Sequence, residues 1–397
     1  MAVLVRDLTG ADMIRDRMRG NLTAEVFADL ESVEALWRGM ESAPAAVSTP
    51  YQRFDWVAAY VAGTHSAEAL RIMVLRDAAG RPMALLPLQV SRVRGVSVAR
   101  VIGAKHANYH MPVYASRQSA GLSAEELDAS LVLAAREARI DAYAFDHQPR
   151  FWDGIANPLS ARGKPCASDA YGLMLGPDAD ATVKRAFSGD ARKKLRGKER
   201  KLVEAHGTVE YRSATTPEDR SAILDAFYEQ KRIRFAALGI ANPYADEAIR
   251  RFIAEATTGS AGRPAIELHA LIAKESGRIF ATFGGAVNDN RFSGMWTSFD
   301  PDPAIGRFSP GDLLLHHLIG QQTGAGRRAF DLGVGEARYK ASICDETIEL
   351  VEVLLPVTLR GRLFTLAADA ASRLKRHIKR SPRLWQAVAR LRRLRGA

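Results

Sequence analysis

IELHALIAKESGRIFATFGGAV, residues 266–287, reads as a strand, a turn at Ser276-Gly277 and a second strand. LRIMVLRDAAGRPMALLPLQV, residues 70–90, has the same form, with its turn at Ala79-Gly80. A Gly-Arg pair opens the second strand each time, Gly80-Arg81 and Gly277-Arg278. Glycine at such a turn supplies the positive φ that residues with a Cβ resist. Downstream, each hairpin is followed by a helical stretch and then by a strand containing Ala-Phe-Asp. In the first half these are LSAEELDASLVLAAREARI and residues 142–146; in the second they are GDLLLHHLIGQQTGAG and residues 327–331. The shared order of hairpin, helix and Ala-Phe-Asp strand predicts an internal duplication.

Working outward, the second half opens on a basic helix, SGDARKKLRGKERKLVEAHG at 188–207, followed by helical stretches at 216–238 and about 244–257. Beyond the hairpin come a third strand, RFSGMWTSF at 291–299, a helix from 312, the strand ending at Asp331 and a last strand at 348–357. Antiparallel strands followed by helix, strand and helix give a mixed α/β (α+β) class. No GxGxxG or GxxxxGK[ST] lies where a strand would feed a helix, which argues against a dinucleotide-binding dehydrogenase and a P-loop NTPase. The expected organisation is two mixed-sheet domains in tandem, 1–180 and 181–357, and a helical tail, 358–397.

Length and composition agree with this division. A chain of 397 residues suggests two or three domains. Its 47% hydrophobic and 25% charged residues are those of a soluble globular protein. The two cysteines, Cys166 and Cys344, form no CxxC pair, so neither a disulfide scaffold nor a cysteine-rich zinc module is expected, and a reducing compartment fits. The opening residues show no apolar signal region, and no apolar run approaches the ~18 residues of a spanning helix.

The charge is localised. The chain has 56 Lys+Arg and 45 Asp+Glu, net +11. From Thr358 onward there are 12 basic residues and one acid, Asp369, also net +11, so residues 1–357 carry 44 of each sign. The tail reads as two helices broken at Ser381-Pro382. Leu363, Leu366, Ala367, Ala370, Leu374 and Ile378 share a face of the first; Leu384, Trp385, Val388, Leu391 and Leu394 share a face of the second. Basic amphipathic helices lie in membrane interfaces and attract anionic lipid. Peripheral membrane contact through 358–397 is therefore one expectation; the other is that the stripe packs on the protein's own body.

Two stretches carry candidate chemistry. Arg307-Phe308-Ser309-Pro310-Gly311 precedes the helix from Asp312. Ser309 suits an N-cap, Pro310 the first turn, and Gly311 a close backbone approach. The unpaired N–H groups and dipole of a helix start favour phosphate, and Arg307 could add a bidentate contact; Asp312 opposes it. The other stretch, Asp331-Leu332-Gly333-Val334-Gly335 through Tyr339-Lys340, leaves a strand by two glycines and ends in a helical turn. A tyrosine there could protonate a leaving group and a lysine could stabilise developing negative charge. His106, Tyr109 and His110 lie in a loop-like stretch that could line a sugar cleft. Trp296 and Ser298 alternate with Met295 and Thr297, so one pair faces the core and the other a cleft. No Ser-His-Asp or Cys-His arrangement and no metal-ligand set is read.

These motifs resemble the GNAT superfamily of acyltransferases. More closely, the sequence is similar to the tandem-GNAT group typified by the CelD/BcsL-like proteins of cellulose biosynthesis, whose acetyltransferase domain is also called BioF-like. The resemblance rests on the Ser188–Lys201 helix, Glu275-Ser276-Gly277-Arg278, Ser298-Phe299-Asp300, Ser309-Pro310-Gly311 and the Asp331–Lys340 stretch. Looser matches are Phe54-Asp55-Trp56, Ala84–Leu88 and Ile102-Gly103 with His106 and Tyr109. The FemAB-type aminoacyl transferases are similar at a greater distance. The resemblance implies a cytoplasmic enzyme using acetyl-CoA or another acyl-CoA, without a metal, and a small-molecule or glycan acceptor attacking the thioester directly. It further implies that Arg307, Phe308, Ser309, Pro310 and Gly311 hold the coenzyme pyrophosphate. Tyr339, Lys340 and Asp331 would be the catalytic residues, Tyr339 as the acid and Lys340 as an electrostatic helper; His106, Tyr109, Trp296 and Ser298 would line the acceptor site. The usual Arg/Gln-x-x-Gly-x-Gly/Ala loop is not intact, and the first half lacks a counterpart of Ser309-Pro310-Gly311, which makes it a noncatalytic partner. Nucleic acid enters only under the FemAB-like alternative, as a charged tRNA; the other alternative is a noncatalytic accessory protein that docks on a membrane complex through the tail.

Overall fold

A computed structural model describes residues 22–259 and 263–380, with side chains to Leu374. In chain order its main strands are β1 (Thr23–Phe27), β2 (Leu70–Arg76), β3 (Pro82–Val93), β4 (Val96–Val101), β5 (Ala142–Pro149), β6 (Ala170–Met174), β7 (Val209–Ser213), β8 (Ile266–Ala273), β9 (Ile279–Val287), β10 (Arg291–Phe299), β11 (Ala329–Val334) and β12 (Leu350–Pro356). Its main helices are α1 (Phe54–Thr64), α2 (Ala124–Glu137), α3 (Gly189–His206), α4 (Pro217–Leu238), α5 (Glu247–Thr258), α6 (Pro310–Gly324), α7 (Arg338–Ile343) and α8 (Leu359–Arg380).

Two compact units result. Among the described residues, one comprises 22–169 and 348–380, the other 170–347. The sheet of the first runs β1-β2-β3-β4-β5-β12 and ends on Lys164–Pro165; that of the second runs β7-β8-β9-β10-β11-β6 and ends on Glu346–Ile348. The order is the same in both: an opening strand, a hairpin, a third antiparallel strand, a parallel strand reached through a helix, and a closing antiparallel strand. This is the mixed-sheet duplication expected from the paired hairpins, whose Gly80 and Gly277 take φ of +79° and +70°.

The units part from the expected boundaries at 180/181 and 357/358. A parallel pair leaves the far edge of β5 and of β11 open, and an open edge needs a partner. Each finds it outside its own half of the sequence: β12 pairs antiparallel with β5, and β6 with β11. The tail helix α8 also belongs to the first unit.

In the second unit the core forms where Phe280, Phe292 and Phe330 meet Leu314, Leu318 and Ile319 of α6. The rings of Phe292 and Phe330, neighbours across the parallel pair, stack with centroids 5.1 Å apart. Between β9 and β10 the register slips: Gly284 faces Trp296 but Gly285 faces Gly294, which leaves Met295 as the extra residue of a β-bulge. A Cβ on Gly284 would stand 2.2 Å from the Trp296 ring, so only glycine admits the indole there. Gly284→Ala is expected to cost about 1–3 kcal/mol through overpacking. Thermal unfolding measures this, and an unchanged midpoint would show that the indole does not depend on this gap.

Helix α8 is anchored by Thr358, whose hydroxyl accepts from the Gly361 N–H (3.1 Å) and donates to Asp141 (2.7 Å). Gly361 lies so close to the Asp141 carbonyl that a Cβ would stand 1.8 Å from it. Phe364 sits under Arg100, and Asp369 pairs with Lys164 at 2.7 Å. The face that packs is thus Gly361, Phe364, Thr365 and Asp369. The apolar stripe does not pack: Leu363, Leu366 and Leu374 are exposed. The second expected tail helix, with Leu384 to Leu394, lies outside the described residues. Among the described residues no helix is long and apolar enough to cross a membrane.

Candidate active site

The site begins where two strands separate. β10 and β11 pair in parallel over Arg291↔Ala329, Phe292↔Phe330 and Ser293↔Asp331, and there the ladder stops, although β10 runs on to Phe299 and β11 to Val334. Asp331 marks the fork. It is fully buried and accepts from the Ser293 hydroxyl at 2.8 Å and from the Gly333 N–H at 3.1 Å, with the Arg291 guanidinium at 3.6 Å. Lys340 is buried, and its ammonium donates to the Gly333 and Val334 carbonyls at 3.1 Å each. Desolvation lowers the Lys340 pKa and the Asp331 charge opposes that shift. The Lys340 bonds tie α7 to the end of β11, while those of Asp331 join β10 to the Gly333 turn.

The start of α6 has an unusual form. Ser309 occupies the N-cap position with φ +52°, and its side chain does not cap the helix, contrary to the expected role. Its carbonyl instead accepts from the N–H groups of Asp312 and Leu313, and its hydroxyl accepts from Lys198 of α3 at 2.6 Å. The basic helix thereby delivers an ammonium to a helix N-terminus that no side chain caps. Pro310 and Phe308 are buried, and the Arg307 guanidinium lies 4.6 Å over the Phe308 ring. Gly311 offers bare backbone: the nearest atom a Cβ would meet there is on Phe299, at 3.9 Å.

Tyr339, on α7, is 43% exposed. Its pKa is raised by burial first, then by Cys344 and by Asp312 of the first turn of α6. The Asp312 carboxylate is near enough to disfavour a tyrosinate there, which puts Tyr339 in the neighbourhood of the α6 start. On the other side, the Arg234 guanidinium of α4 lies 5.3 Å over Phe299. One turn earlier, the Lys231 ammonium stands 5.6–5.8 Å from the rings of Phe227, Phe235 and Tyr244. Burial pulls its pKa down to about 8. Nothing in the local sequence marks Lys198, whose partner Ser309 lies 111 residues away, whereas the rings around Lys231 are local, at Phe227, Phe235 and Tyr244.

Trp296 and Ser298 share a face, as their spacing requires, and that face is covered by α4. Trp296 packs on Phe227 at 5.3 Å; the Ser298 hydroxyl donates to Gln230 at 2.6 Å and meets Thr282 at 2.7 Å. Both are buried, and the partly open positions of β10 are Met295, Thr297 and Phe299.

In the first unit His106 is half-buried in the turn Ala104–His106, while Tyr109 is fully buried between Tyr51 (5.8 Å) and Trp152 (4.7 Å), a core residue rather than a cleft one. A β-bulge at Asp146-His147, opposite Glu352, turns these residues toward His110. His110 Nδ1 lies 2.8 Å from the Asp146 carboxylate, and the donor atoms of the three residues fall within 4.8 Å of one another, a grouping of metal-ligating type that the sequence reading did not foresee. The parallel pair of this unit also stops early, after Val98↔Ala142 and Ala99↔Tyr143. Its helix start differs. Ser123 and Glu126 form a reciprocal capping box on α2, each side chain accepting the other's backbone N–H at 3.1 Å. On α2 the Ser123 and Glu126 N–H groups are taken by side chains, one of them a carboxylate, whereas on α6 the corresponding Ser309 and Asp312 N–H groups are taken by main-chain carbonyls.

Residues 189–341 match the family model described as an acetyltransferase (GNAT) domain. Among solved structures, FemX aligns with a TM-score of 0.57 at 11% identity, over 85% of this chain and 98% of its own. A conserved protein of unknown function from Bacteroides thetaiotaomicron aligns with a TM-score of 0.53, also at 11% identity, over 82% of this chain and 97% of its own. At such identity the likeness is one of fold. No curated protein matches the sequence. Residues 189–341 of the second unit are thus similar to the acetyltransferase (GNAT) domain family, and 85% of the chain follows the fold of FemX.

Proposed function

We propose that the second unit transfers an acyl group from an acyl-CoA, in the simplest case acetyl-CoA, to an amine or hydroxyl of a small-molecule or glycan acceptor. One observation carries this reading: the uncapped start of α6, with Lys198 on Ser309, stands in the unit whose strands part at Asp331, whereas the corresponding helix of the first unit is closed by its own side chains. The positive end of a helix dipole and a neighbouring ammonium suit a pyrophosphate. The separated edge of β10 suits an extended pantetheine arm, which can bond to free main-chain groups as an added strand does.

The acceptor nitrogen or oxygen attacks the thioester carbonyl, and collapse of the tetrahedral intermediate forms the new C–N or C–O bond and breaks C–S. Tyr339, kept protonated through neutral pH by its raised pKa, gives its proton to the departing sulfur. The proton lost by the acceptor restores the tyrosine by way of water. Lys340 and Asp331 hold the turn, and the backbone at Gly311 receives the phosphates. The resemblance to CelD/BcsL-like proteins makes a sugar of exopolysaccharide or cellulose production the acceptor to test first, in the cytoplasm at the inner face of the membrane.

The exposed basic residues of α3, such as Lys193 and Lys194, favour a second reading, in which the donor is a charged tRNA held by its phosphates. Calorimetric titration separates the two. Saturable binding of acetyl-CoA, with thiol release on adding an amino sugar, supports the first; binding of aminoacyl-tRNA with no response to acetyl-CoA would replace it with the second.

A further inference from the structure

The packing of α8 leaves its most apolar face outward. Leu359, Leu363, Leu366 and Leu374 are 81%, 72%, 63% and 61% exposed, and Ala370 completes a stripe spaced by four, three, four and four residues. Such spacing aligns them on one side of a helix. The opposite side holds the unit, through Gly361, Phe364 and Thr365. The stripe is therefore not an unformed core: the helix is already seated by its other face. Arg360 borders the stripe on one side, Arg362 and Arg373 on the other, all exposed. The whole excess of positive charge in the chain lies from Thr358 onward, 12 basic residues against Asp369, while the rest is balanced.

We propose that α8 lies flat on an anionic lipid surface, with Leu359, Leu363, Leu366 and Leu374 among the acyl chains and the flanking arginines at the headgroup phosphates. An exposed leucine stripe edged by arginine matches the two components of an interfacial helix, apolar insertion and attraction to negative lipid. The charge argues for lipid over a second copy of this helix, since two tails each of +11 repel along their length. This inference does not depend on the acyl-transfer reading.

The test uses the full-length protein and sedimentation with vesicles of phosphatidylcholine mixed with phosphatidylglycerol, against phosphatidylcholine alone. The variant carries Leu359→Ser, Leu363→Ser, Leu366→Ser and Leu374→Ser. These positions face solvent, so the melting temperature should hold, whereas deleting 358–397 would strip α8 from its sheet. Wild type is expected to partition onto the anionic vesicles, more weakly at high salt. The variant is expected to lose at least about tenfold in partition at an unchanged melting temperature. Equal partition of variant and wild type would overturn the proposal. So would a wild type that stays in solution as a dimer and becomes a monomer on serine substitution, which would assign the stripe to a second copy.

Discussion

Tyr339→Phe is expected to lower kcat by about 100- to 1,000-fold while leaving the affinity for acetyl-CoA within about twofold, the range lost when a positioned general acid is removed. The phenyl ring preserves the packing of a residue that is only partly buried, so the fold should not suffer. What goes is the phenolic proton that the α7 turn would offer a departing sulfur. A donor whose thiol is a better leaving group needs that proton less, so an aryl thioester should recover much of the lost rate. Wild-type turnover in Tyr339→Phe would remove the tyrosine from the mechanism; a parallel loss of coenzyme binding would make it a binding residue. The raised pKa adds a sign: the acid form persists through neutral pH, and activity assigned to it should fall only on the alkaline side.

Lys198→Glu is expected to weaken acetyl-CoA binding by about 10- to 100-fold, since a hydrogen bond to a charged group is worth about 1.5–3 kcal/mol and 1.4 kcal/mol is tenfold. The substitution removes the donor to Ser309 and sets a carboxylate at the α6 start. Lys194→Glu on the same helix is the control, because its side chain is exposed. A twofold effect there beside a large one at Lys198 identifies a local phosphate contact. Equal effects at both positions would instead mean a diffuse basic field, as the tRNA reading requires.

Local signals made the duplicated plan legible. The Gly-Arg turns and the Ala-Phe-Asp strands recur in order, and Pro310 marked the start of α6. What stayed hidden depended on partners far away in the chain. AYGLM at 170–174 is a short strand without signature, and its partner β11 begins at Ala329, so the exchange of closing strands could not be read locally. Lys198 reaches Ser309 across 111 residues. Alternation along β10 correctly grouped Trp296 with Ser298, but it could not say that α4 covers that face. The periodicity of α8 identified the leucine stripe. It did not identify the packing face, which is made by the small residue Gly361 and by Phe364 and Thr365, because close approach to the Asp141 carbonyl selects for no side chain at all.

Amide hydrogen exchange on the full-length protein, with and without acetyl-CoA, addresses the donor site itself. Slowed exchange at 309–314 and along 294–299, with none at 123–127, is the outcome the geometry predicts. Protection at the capped start of α2, or no protection around Ser309, would contradict it.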